Sequence, residues 1–153
     1  MTILVDPPRD KFGEYFNGQF QAKGIFIDRK GVIRRRFDVA ITATPSPDGF
    51  ILDEDFLYDD GETEQRQWVV TRLADGGYEG RADGVIGIAK GRVEDDTLIW
   101  QYRFALPVGK RKIAIHFDDV MMLQADGVMI NRARLTKWGI WVGDVLISFH
   151  ALP

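Results

Sequence analysis

Along most of this chain hydrophobic and polar residues alternate, the two-residue period of a strand with one buried face. In residues 32–43, Ile33, Phe37, Val39 and Ile41 fall on one side, against Arg34, Arg36, Asp38 and Thr42. In 98–106, Leu98, Trp100, Tyr102, Phe104 and Leu106 line up, with Gln101 and Arg103 opposite. In 113–123 the stripe is Ile113, Ile115, Phe117, Met121 and Leu123, with Asp119 set among them; in 141–149 it is Trp141, Val145, Ile147 and Phe149. Turn residues punctuate these segments at 29–31, 45–49, 59–61, 75–77, 94–96, 107–109, 125–127 and near Gly139. Short, evenly spaced strands with one apolar face each predict an all-β protein, a single antiparallel up-and-down barrel of about ten strands. Closure removes the exposed edges that so long a meander would otherwise carry. Gly24, Gly80, Gly84, Gly87 and Gly143 sit inside strand patterns, where bulges, bends or close backbone approach are expected. Residues 1–15 read as an irregular extension with one helical turn around 9–16, and residues 16–153 as the barrel.

The stretch from Leu52 to Trp68 is the most informative. It reads as two strands joined at Asp59-Asp60-Gly61 by a type I turn closed by a left-handed glycine. That register sets Tyr58 against Glu62, Glu54 against Arg66, Leu52 against Trp68 and Phe50 against Val70, and opposite residues share a face. A carboxylate and a guanidinium therefore stand on an apolar surface made by Phe50, Leu52, Phe56, Trp68 and Val70, while Asp53 and Asp55 turn to water. The pair reads as a salt bridge that fixes the register, or as the polar end of a pocket. The acidic run Asp53, Asp55, Asp59, Asp60, Glu62 and Glu64 lacks the spacing of a calcium loop and is expected to be a solvated face plus turn chemistry. The same turn at Ala125-Asp126-Gly127 sets Met121 against Asn131, Asp119 against Ala133 and Phe117 against Leu135. Asp119 and Asn131 are then diagonal neighbours among apolar residues, either a pocket's polar end or a hydrogen-bonded pair that seals the barrel.

Composition narrows the chemistry. The 153 residues suit one core, with 45% hydrophobic and 28% charged residues. No cysteine is present, which removes disulfides, thiol nucleophiles and thiolate metal sites. The net charge of −3 gives no global attraction to nucleic acid. His116 and His150, the two histidines, lack converging partners for a metal site or a triad. No cofactor is expected. No apolar run reaches the length of a transmembrane segment; the absence of an evident signal peptide points to the cytoplasm but does not fix the compartment. The basic clusters Arg34–Arg36 and Lys110–Lys112 read as solvated positions, with an anionic membrane surface the sharper alternative.

Several ordered motifs go further: Phe16-Asn-Gly18, Gly24-Ile-Phe-Ile-Asp-Arg29, Leu52-Asp-Glu-Asp-Phe56, Ala105-Leu-Pro107, Phe117-Asp-Asp119 and Lys137-Trp-Gly139 with Val142-Gly-Asp144. Across about residues 12–150 the chain resembles an uncharacterised bacterial family of unknown function. The resemblance implies a lipocalin-like barrel and tilts the expected ligand toward lipids. Many members carry a lipoprotein signal and a lipid-anchored cysteine; with no cysteine and no signal read in this sequence, envelope anchoring is not expected.

Together these readings favour a non-enzymatic barrel that binds a small hydrophobic or amphiphilic ligand such as a fatty acid. Trp68, Trp100, Tyr102, Phe117, Met121 and Trp141 are expected to line the cavity. Arg66 is expected to meet the carboxylate, with Glu54, Asp119 and Asn131 around the same polar end. The alternatives are a lipid-acting isomerase or hydratase that uses Glu54 or Asp119 to carry protons, and a filled barrel that works through its surface.

Overall fold

The computed structural model describes residues 10–153; Arg9 and the rest of residues 1–9 lie outside the described residues. One short helix, α1 (Lys11–Tyr15), is followed by ten strands. These are β1 (Gly18–Asp28), β2 (Ile33–Ser46), β3 (Gly49–Tyr58), β4 (Thr63–Arg72), β5 (Tyr78–Arg81), β6 (Val85–Glu94), β7 (Thr97–Val108), β8 (Arg111–Leu123), β9 (Met129–Lys137) and β10 (Ile140–Ala151). Every neighbouring pair is antiparallel, and β1 pairs with both β2 and β10, so the sheet closes into a barrel. The up-and-down order places the turns after β1, β3, β5, β7 and β9 at one end. The turns after β2, β4, β6 and β8 lie at the other, beside α1.

The two Asp-Gly hairpins have the expected geometry. Gly61 lies at φ 87° and Gly127 at φ 86°, left-handed values that an L side chain rarely adopts. In each loop the backbone closes the same way: Tyr58 N–H donates to the Glu62 carbonyl and Gln124 N–H to the Val128 carbonyl, both at 2.9 Å. The register follows, with Leu52 opposite Trp68, Glu54 opposite Arg66, Met121 opposite Asn131 and Asp119 opposite Ala133. A further Asp-Gly turn at 82–84 separates β5 from β6, so Gly84 belongs to a turn rather than a strand interior.

Alternation drives one face of each strand inward. The larger core cluster includes Phe20, Val39, Phe50, Leu52, Trp68 and Trp100. A smaller one, around Ile115, Ala133 and Leu135, fills the opposite part of the barrel. The helix plugs the end nearest the larger cluster. Phe12 is fully buried, and Phe16 stacks on Phe50 at 5.0 Å. Asp10 caps α1 by accepting from Gly13 N–H and also accepts from the Tyr78 hydroxyl, which ties the helix to β5.

Two bulges change which way side chains point. On β6 the register shifts between Ile86 and Lys90, and Gly87 takes φ 75°. On β10 it shifts between Trp141 and Gly143, so Val142 is an extra residue. A Cβ on Gly143 would fall 2.4 Å from the Ile27 carbonyl oxygen, so only glycine permits that approach. The bulge reverses the expected direction of Trp141. This residue pairs with Thr136 on the outer wall, is 40% exposed, and donates its indole N–H to Asp144 at 3.0 Å. It does not line the interior.

Candidate functional site

A cavity of about 110 Å³ lies in the middle of the barrel, between the helical plug and the smaller core cluster. Each wall residue comes from the inward face of its strand. Leu52, Glu54 and Phe56 belong to β3; Arg66, Trp68 and Val70 to β4. Leu98, Trp100 and Tyr102 come from β7, Asp119 and Met121 from β8, Asn131 from β9. Seven of the expected interior residues, Trp68, Trp100, Tyr102, Met121, Glu54, Asp119 and Asn131, therefore share one chamber, with Arg66 at its wall. Phe117 also faces inward but stands behind Tyr102, stacked on it at 4.9 Å, outside the cavity wall.

Trp100 and Trp68 meet edge to face at 5.7 Å and form the broad apolar side. The indole of Trp100 lies over Gly80 and Gly91. A Cβ on either glycine would fall 2.5 Å from the ring, so the missing side chains are what let the tryptophan lie flat against the sheet.

The polar groups of the chamber are Glu54, on β3, and across from it Asp119 and Asn131, on β8 and β9. Asn131 Nδ2 donates to Asp119 Oδ2 at 3.2 Å, as their diagonal placement predicts. Asp119 is 4% exposed and Asn131 3%. Glu54 Oε1, Asp119 Oδ1 and Asn131 Oδ1 are buried without a hydrogen-bond partner. A buried polar atom left unpaired costs about 1–3 kcal/mol, so three in one chamber is an unusual concentration.

Burial governs the protonation of both carboxyls. Desolvation pushes Glu54 up to about 7, and the Arg66 charge only partly offsets it. Desolvation also pushes Asp119 up to about 7; the Asn131 hydrogen bond pulls down, while the Asp118 and Glu54 charges push up. The two carboxyls thus feel each other across the cavity. Tyr102 is raised well above its ordinary value, chiefly by burial.

Arg66 does not form the salt bridge with Glu54 that their register invites. Its guanidinium bonds Glu64, two residues along the same strand, and lies over the rings of Phe56 at 5.0 Å and Phe104 at 4.6 Å. Glu64 in turn accepts from the Tyr58 hydroxyl at 2.8 Å. Glu64 is therefore an inward residue opposite Phe56 rather than part of the solvated acidic face. The signal for it was present: extending the Leu52–Trp68, Glu54–Arg66 register by two residues places Glu64 inside. With its charge matched by Glu64, Arg66 is poorly disposed to receive a ligand carboxylate.

Outside the chamber, His116 lies on the outer wall 3.2 Å from Asp118, and His150 is exposed beside Ser148. Among the described residues no group of three or more His, Asp or Glu side chains is placed to hold a metal ion. No described helix is long and apolar enough to cross a membrane.

No curated protein matches the chain. Residues 6–151, which include the whole barrel, match a known family. The chain belongs to the family described as "Protein of unknown function (DUF3833)".

Proposed function

We propose that the barrel is a non-enzymatic binding module for a small amphiphile, with the apolar body against Trp68, Trp100 and Met121 and a hydroxyl head at Glu54, Asp119 and Asn131. The observation that carries this reading is the chamber itself: an aromatic cavity in which three buried polar atoms lack partners. Such a combination of apolar wall and a few convergent polar groups suits a ligand site. With both carboxyls protonated, one hydroxyl can meet all three groups: it accepts from Glu54 and Asp119 and donates to Asn131 Oδ1. A carboxylate head would meet two acidic groups and an arginine already paired with Glu64. The volume favours a small ligand or the terminal segment of a lipid, since an apolar cavity of about 150 Å³ accommodates one benzene ring.

A matched series of hexanol, hexylamine and hexanoate, titrated calorimetrically at neutral pH, tests this reading. Hexanol is expected to bind at least about tenfold more tightly than hexanoate, since one unpaired or repelled buried group costs that much. Asp119→Leu, which keeps the size and removes the polar group, should weaken hexanol binding while the fold persists. Failure of all three to bind, or equal binding of hexanoate, would remove the proposal.

A second reading is favoured by the two buried carboxyls that face one cavity, each pushed up to about 7 by desolvation. An acid and a base poised at pH 7 in a dry chamber suit proton transfer, as in an isomerase or hydratase acting on a lipid. Product signals that appear when an unsaturated lipid is incubated with the protein, and vanish in Glu54→Gln, would establish it. An unchanged ligand spectrum would dismiss it.

A further inference from the structure

The ends of the barrel carry different chemistry. At the α1 end, the loops 46–49, 73–77, 95–96 and 124–128 contain Asp48, Asp75, Asp95, Asp96 and Asp126 and no lysine or arginine. At the other end, three loops are neighbours along the rim, because the strand order runs β2, β1, β10, β9, β8, β7. Residues 29–32, 108–112 and 137–140 hold Arg29, Lys30, Lys110, Arg111, Lys112 and Lys137 and no acid. None of these six cations has an ion-pair partner among the described residues.

The same three loops end in apolar side chains. Val32, Val108 and Ile140 are all exposed, and Trp138 at the tip of the β9–β10 turn is 88% exposed. Trp138 also occupies φ 51°, a conformation usually left to glycine or asparagine, so the backbone gains nothing from tryptophan there. Its ring lies 4.3 Å from Lys137 Nζ. An exposed tryptophan beside aliphatic tips and unpaired cations matches the interfacial zone of a bilayer, where indole sits at headgroup level and Lys/Arg meet anionic lipid.

We propose that this half of the rim docks on an anionic phospholipid surface, with Trp138, Ile140, Val108 and Val32 entering the headgroup region and the six cations meeting lipid phosphates. The other half of the same rim, with Asp59, Asp60, Glu62 and Asp83, is acidic, so the barrel must approach tilted, basic side down. The apolar tips argue against nucleic acid, whose phosphates offer them no partner.

Flotation with vesicles tests this directly, using phosphatidylcholine alone and phosphatidylcholine mixed with phosphatidylglycerol. The protein should float with the mixed vesicles and not with the neutral ones. Trp138→Ala should lower partitioning about tenfold, and a K110Q/R111Q/K112Q variant about a hundredfold. All four side chains are exposed, so circular dichroism and thermal midpoints should be unchanged in both variants. No flotation, flotation that ignores lipid charge, or wild-type partitioning of both variants would overturn the proposal. So would heparin binding that depends on the cations but not on Trp138, or salt-sensitive chains of the protein alone, in which the basic rim meets the acidic end of another copy.

Discussion

The protein should lose stability as pH rises from about 4 to about 7, on the order of a few kcal/mol. Glu54 and Asp119 hold their protons in the folded state up to about 7, against ordinary values of 4.5 and 3.8. Between those limits the folded chain binds more protons than the unfolded one, so raising pH draws the equilibrium toward the unfolded state. Above about 7 the penalty is complete and stability levels off. The coupling between the two carboxyls broadens the transition, because the ionisation of one opposes that of the other. Asp28 acts with the opposite sign in a different window: its bonds to Arg34 and to the backbone hold it below 3.8, so its contribution is lost only in stronger acid. Urea denaturation from about pH 5 to about pH 8 measures the effect. Glu54→Gln and Asp119→Asn mimic the neutral forms and should match the wild type at the acid end and exceed it at the alkaline end. A flat profile in the wild type would mean that the chamber solvates both charges.

Trp100→Ala should cost about 3–5 kcal/mol, the range for truncating a buried large aromatic. Trp100 is 5% exposed and central to the cavity wall: it meets Trp68 edge to face and covers the bare backbone at Gly80 and Gly91. Because those glycines have no side chains to move in, the void cannot collapse and instead extends the existing cavity to the sheet. Added indole should therefore bind the variant and recover part of the lost stability, by the linkage between ligand occupancy and folding. A loss under about 1 kcal/mol would indicate a wall that repacks, and no rescue by indole would indicate that the void collapses.

The barrel was legible because its evidence is local. Alternation located the inward stripe of β3, β4, β7 and β8, and the Asp-Gly turns fixed the two hairpin registers, which turned Glu54, Asp119 and Asn131 inward; that Glu54 faces the Asp119–Asn131 pair across the barrel comes from closure of the sheet, which no local register shows. What was not legible depends on backbone irregularity or side-chain choice. One extra residue at Val142 rotates Trp141 to the outer wall; Gly143 marks the place of the bulge, but the alternation of 141–149 does not show which residue is extra. The turn at 82–84 was hidden because Gly80, Gly84 and Gly87 read as one glycine-rich strand. Register placed Arg66 beside both Glu54 and Glu64 on the same face. Which carboxylate it bonds depends on rotamer and solvation: Glu64, nearer the end opposite α1 and partly exposed, takes the charge, while Glu54 stays buried. That single choice turns the expected carboxylate receptor into a neutralised wall residue and leaves an acidic chamber with unpaired oxygens.

The central claim is that this chamber takes a ligand head beside Glu54, Asp119 and Asn131. The most direct measurement is a filtered nuclear Overhauser experiment on the isotope-labelled protein with unlabelled hexanol. The account predicts contacts from the alkyl chain to the Trp68 and Trp100 indoles and the Met121 methyl group, with the hydroxyl-bearing carbon nearest Asn131. Contacts confined to the outer wall, or none while the protein remains folded, would contradict it.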